Sequence, residues 1–138
     1  MSLKWWTILL AGLCGLGACS APAEDRSPRM TAMLVVAYAQ VGAAGPLFEL
    51  LDPEDRQALE REAARGASAG TSVPPQDLLM IRLPPRDVAM AEPEVKTLEQ
   101  TGDDLRLEVG FGDRSQYLMH LRRSQGRWRL KLPVSVKP

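Results

Sequence analysis

Leu105-Arg106-Leu107-Glu108-Val109-Gly110-Phe111 alternates apolar and polar side chains without a break. A period of two puts every second side chain on the same side of an extended chain, so this stretch predicts a half-buried β-strand. Gly112-Asp113-Arg114 then reads as a turn, after which Tyr117, Met119 and Leu121 alternate with Gln116, Leu118, His120 and Arg122. A second turn at Ser124-Gln125-Gly126 leads into Trp128, Leu130 and Leu132, alternating with Arg127, Arg129 and Lys131. Three strands joined by tight turns, with one apolar side, predict an antiparallel meander. Upstream, Thr101-Gly102-Asp103-Asp104 is a further turn signal. Before it, Glu94 to Leu98 and Asp87 to Met90 read as shorter strands separated by Pro93.

The first half of the chain has a different period. In the run Arg29 to Gly42, Met30, Met33, Leu34, Ala37 and Val41 follow i, i+3, i+4 spacing, widened by Val35, Val36 and Tyr38. That spacing predicts a largely buried helix stopped at Gly42, with the methionines as core filling. Gly45-Pro46 interrupts the chain before a short amphipathic turn, Leu47 to Leu51. Asp52-Pro53-Glu54-Asp55 is a helix start, with Asp as N-cap, Pro at the first helical position and acids beside the positive end of the dipole. This helix is expected to reach Arg65 and end at Gly66, with Ala58, Leu59 and Ala63 inward and Arg56 and Glu60 outward. After the small-residue loop Gly66 to Val73, Pro74-Pro75-Gln76-Asp77 introduces a short helix through Leu78-Leu79-Met80.

Helices first and strands afterwards give an α+β domain, N-terminal helices packed on one face of a curved antiparallel sheet. The layout resembles the nuclear-transport-factor-2-like superfamily, the cystatin-like cone shared with ketosteroid isomerase and SnoaL-type cyclases. The apolar first helix, Leu50-Leu51-Asp52-Pro53-Glu54-Asp55-Arg56, Pro75-x-Asp77-Leu78-Leu79 and the closing strands through Gly126-Arg127-Trp128-Arg129-Leu130 carry the resemblance, over Met30 to Val134. Isomerase members of that superfamily use an Asp base and a Tyr or Asp oxyanion donor. Those roles do not map residue by residue onto Tyr38, Tyr117, Asp77 or Asp87, so the resemblance implies a cone fold and no catalytic assignment.

The N-terminus carries an address. Met1 to Lys4 holds one positive charge, and Trp5 to Cys14 is apolar but too short to span a bilayer. Leu16-Gly17-Ala18-Cys19 resembles the bacterial lipobox, with an aliphatic residue, two small residues and the cysteine that is alkylated. The resemblance implies that residues 1–18 are a signal peptide, with Leu16, Gly17 and Ala18 read by the prolipoprotein peptidase. Cys19 then carries diacylglycerol and an N-acyl chain, enough buried methylenes for lasting membrane attachment. Leu13 before Cys14 is too large for that cysteine to compete. Ser20 in place of Asp after Cys19 leans towards the outer membrane over the inner one, facing the periplasm. Residues 19–28 read as a flexible tether and 29–138 as one domain.

Charge and cysteine usage narrow the function. The chain has 17 basic and 17 acidic residues, a balance that argues against a general nucleic-acid binder. Cys14 and Cys19 are the only cysteines, so the domain has neither a disulfide nor a cysteine metal site to rely on. Acids gather at Glu49, Asp52, Glu54, Asp55, Glu60 and Glu62. After Asp113 no acid follows, and the basic residues there include Arg122, Arg127, Arg129 and Lys131. Two readings stand: the regions meet and neutralise one another, or the basic strand face meets an anionic partner or headgroup. His120, the sole histidine, falls on the polar side of its strand, and Ser115 and Ser124 lie in no nucleophile elbow. No catalytic residue, metal site or cofactor other than the lipid is expected. The sequence therefore leads to a non-catalytic, lipid-anchored envelope protein acting through contact with a protein partner. The alternative is a module holding a small apolar ligand in the open end of the cone.

Overall fold

The computed structural model describes residues 26–84, 92–112 and 116–138. The expected signal peptide and lipobox (Leu16, Gly17, Ala18, Cys19) and the strand expected at Asp87 to Met90 lie outside them. Four helices precede four strands: α1 (Pro28–Val41), α2 (Ala44–Glu49), α3 (Pro53–Ser68), α4 (Pro75–Arg82), β1 (Glu94–Thr101), β2 (Asp104–Gly110), β3 (Gln116–Ser124) and β4 (Arg127–Val136). The strands form one antiparallel sheet in the order β1-β2-β3-β4. The α+β class and the meander read from the sequence are both present.

Strict alternation sets the register. Leu105 pairs with Leu121, Leu107 with Met119 and Val109 with Tyr117, and Leu121 in turn pairs with Leu130. These side chains share the inner face of the sheet, and Leu107, Val109, Leu121 and Leu130 are at most 1% exposed. Leu47, Phe48, Leu51, Leu59 and Leu79 from the helical half close the same core, each at 4% or less. Gln125 (φ 52°) and Gly126 (φ 74°) both adopt left-handed backbone at the β3–β4 turn, the conformation whose twist matches a two-residue hairpin. Pro133 falls where the β3–β4 register shifts past Leu118, a place where a missing N–H is tolerated. The outer strand β1 is exposed along nearly its whole length, with only Val95 half-buried.

Three helical details differ from the sequence reading. First, α1 buries Thr31, Ala32, Val35 and Val36, while Met30 and Val41 are 49% and 77% exposed. The segment is apolar nearly all round, so its period has too little contrast to choose a face, and the small and β-branched residues allow the closest approach to the sheet. Second, Pro46 does not interrupt the chain but lies in the first turn of α2, where its absent N–H would have had no helical partner anyway. Third, α3 passes through Gly66 to Ser68. Thr71 N donates to the Gly66 carbonyl at 2.8 Å, so Gly66 belongs to the packing of the following loop. No helix among the described residues is long and apolar enough to cross a membrane.

Between α2 and α3 the chain runs along the free edge of β4. Leu130 N donates to Leu50 O at 2.8 Å, and Asp52 N donates to Leu130 O at 2.8 Å, making Leu51 a parallel bridge partner of Leu130. Leu132 N, the next edge donor, reaches Asp55 Oδ2 at 2.9 Å. Three edge groups of β4 that would otherwise lie open are thereby satisfied.

Candidate functional site

The helices share one core with the inner face, which leaves the other face of the sheet to polar side chains. The register sets out two rows across it: Glu99, Arg106, His120 and Lys131 in one, Thr101, Asp104, Arg122 and Arg129 in the other. Arg122 and Arg129 stand directly opposite one another, as the strand parity implied. What keeps these neighbours together is the acid supplied from β2 and from the start of α3.

At the β1 side, Asp104 Oδ1 accepts from His120 Nε2 at 2.7 Å and from Arg122 Nε at 3.2 Å. These two hydrogen bonds, that of His120 above all, hold the Asp104 carboxyl below its ordinary 3.8, and Asp104 in turn raises Arg122. Glu54 lies 3.5 Å from Arg122. His120 thus has an acid beside it, a neighbour that linear spacing conceals because the two are on different strands.

At the β4 edge, Lys131 is only 13% exposed and lies 3.2 to 3.5 Å from Asp52, Glu54 and Asp55. Burial alone would pull this ammonium down, but the Glu54 hydrogen bond together with Asp55 and Asp52 outweighs it and raises Lys131 above 10.5. Asp52 also caps α3, accepting from Glu54 N at 3.3 Å. Of the four basic residues singled out in the sequence, Arg122 and Lys131 are therefore neutralised within the molecule.

Arg129 and Arg127 are placed differently. Arg129 Nη1 donates to the Glu49 carbonyl at 2.7 Å, and Arg56 Nη2, arriving from α3, donates to the same oxygen at 3.0 Å. Glu49 Oε2 is 3.5 Å from Arg56 Nη1. The Arg56 guanidinium also lies over the Phe48 ring, 5.7 Å from its centroid. Arg56 was expected to point outward; instead it folds back on α2, because an aromatic face and an uncapped helix carbonyl are both within its reach. Arg127, two residues before Arg129 on the same side of β4, is exposed.

On the inner side, an apolar cleft lies between α1 and the sheet, bordered by Val36, Ala39, Leu83, Phe111, Tyr117 and Val134, with a volume of about 50 Å³. Phe111 and Tyr117, both lining it, meet edge to face with centroids 6.1 Å apart. Ligand sites usually offer several hundred Å³, so this space suits little more than a methyl-sized group or a few atoms. Tyr38 and Tyr117 both pack partly buried against the core.

Comparison with protein-family models, with curated proteins and with solved structures returns no significant match for this chain.

Proposed function

We propose that this chain is a non-catalytic protein of the bacterial cell envelope, anchored by lipid on Cys19, that acts as an accessory or adaptor through protein–protein contact. The domain is read as a nuclear-transport-factor-2-like cone, in keeping with its helices-then-meander order. The observation that carries the functional reading is the contrast between the two sheet faces. The inner one is filled by leucine, valine and phenylalanine side chains at or near zero exposure, whereas the outer one carries two mostly charged rows, exposed at Glu99 and Arg106 and joined near β4 by the acids at the start of α3. A packed inner face leaves little room for a substrate, while a broad polar face is suited to a partner's surface. The anchor rests on Leu16-Gly17-Ala18-Cys19, with the periplasmic side of the outer membrane as the favoured location.

The test is affinity capture of the full chain from detergent-solubilised membranes after mild crosslinking, with proteins and small molecules both identified by mass spectrometry. A stoichiometric envelope protein is the expected result. Recovery of a small apolar molecule with no protein partner would overturn the adaptor reading in favour of the cleft. In parallel, Cys19→Ser should abolish the lipid mass and release the chain from the membrane fraction. A Cys19→Ser chain that remains membrane-bound would sink the anchor.

A further inference from the structure

The corner where α2 ends against β4 holds more positive charge than the fold uses. Arg56 and Arg129 both donate to one carbonyl oxygen, that of Glu49, which brings the two guanidiniums side by side. The Nε of each is buried without a partner among the described residues, so both guanidiniums are held at some cost in hydration. Arg127 adds a third cation on the same strand face. Among the described residues, the carboxylate within ion-pair distance of these cations is that of Glu49, whose side chain is 72% exposed. Asp52, the next acid, is committed to Lys131 and to the cap of α3. Burial, then Arg56 and Arg127, lower the pKa of Arg129, the sign expected of a cation crowded by its own kind.

We infer that the Arg56, Arg127 and Arg129 corner is a recognition notch for an acidic segment of a partner protein. This rests on the adaptor reading for the partner being a protein. Guanidinium forks match the two coplanar oxygens of a carboxylate. The Phe48 face beneath Arg56 holds one fork in place before anything binds, which lowers the ordering cost of the encounter. The same corner is poorly suited to phosphate. Its base is a helix-terminal carbonyl oxygen with a glutamate beside it, which a single carboxylate tolerates better than a doubly charged group does. No backbone N–H of α2 points there to compensate, since the C-terminal end of a helix presents carbonyls.

The experiment titrates the full chain, in a neutral detergent at about 0.15 M salt, with a fluorescent glutamate-rich peptide read by anisotropy. The paired change Arg56→Gln/Arg129→Gln is expected to weaken binding ~10-fold or more. Lys96→Gln/Arg106→Gln, which removes the same charge from the β1–β2 side, should leave binding unchanged. Arg127→Gln touches an exposed side chain only, and it should weaken binding without any change in unfolding temperature. Equal losses in both paired variants would reduce the effect to net charge and overturn the notch, as would no loss in Arg56→Gln/Arg129→Gln. Stronger competition by inorganic phosphate, or by phosphatidylglycerol vesicles, than by unlabelled peptide would overturn the partner class. The two readings also fail separately. Capture of an envelope partner equally well by the Arg56→Gln/Arg129→Gln chain removes the notch and keeps the adaptor, whereas absence of any captured protein removes the adaptor and leaves the titration to judge the notch.

Discussion

Asp104 is a small residue with two obligations: one carboxylate oxygen serves both His120 and Arg122, neighbours along one face of β3. Both bonds favour the ionised form, so its pKa lies below 3.8 in the folded chain. The depressed value means that Asp104 contributes stability above its unfolded pKa, and that this contribution is lost as pH falls through the lower folded one. Carboxyl-detected NMR titration should accordingly give a midpoint for Asp104 below 3.8, and His120→Gln should move it back upward. A midpoint that ignores the His120 change would mean that Arg122 alone sets it. The position was open to the sequence in part. With the turn expected after Phe111, two of whose residues (Asp113 and Arg114) lie outside the described ones, pairing Leu105 with Leu121 places Asp104 opposite Arg122 and Arg106 opposite His120, as found. Arg56, Glu49 and Arg129 gave no such signal. Their contact joins residues 80 positions apart, through side chains long enough to reach several partners, and neither period nor spacing chooses among them.

At the scale of the element, α3 illustrates how loop packing overrides helix propensity. Gly66 lies inside the helix, where alanine would ordinarily gain about 1 kcal/mol. A Cβ at Gly66 would stand 2.9 Å from the backbone oxygen of Thr71, and a backbone atom cannot turn away as a side-chain tip can. Gly66→Ala is therefore expected to destabilise by ~1 kcal/mol, seen as a lower thermal midpoint. A higher midpoint would mean that the loop after Ser68 yields freely. The strands were legible because alternation and turn residues agree over the whole of β2 to β4. The start of α3 was legible because Asp52-Pro53-Glu54-Asp55 satisfies cap, ring and dipole together. The buried face of α1 and the end of α3 were not, since each is decided by what the helix packs against.

In the whole molecule, the helical half is fastened to the sheet at Lys131 as well as through the core. This ammonium meets Asp52, Glu54 and Asp55 from a largely buried position, and Asp52 is itself only 3% exposed. Lys131→Met keeps the bulk but leaves Asp52 ionised without its cation, which should cost ~2 kcal/mol in urea unfolding. No loss would mean that the cap of α3 satisfies Asp52 unaided. Because Lys131 is raised above 10.5, its contribution is complete below that pH and lost as pH climbs through the folded value. The segment that brings these acids also runs beside β4, filling the edge positions at Leu130 and Leu132. A fibre built by adding strands needs two adhesive borders on every copy, one to receive and one to offer. With the middle of the β4 border already occupied by its own chain at Leu130 and Leu132, strand addition is blocked on that side, so an encounter between two copies along β1 ends at a pair and does not propagate into a filament.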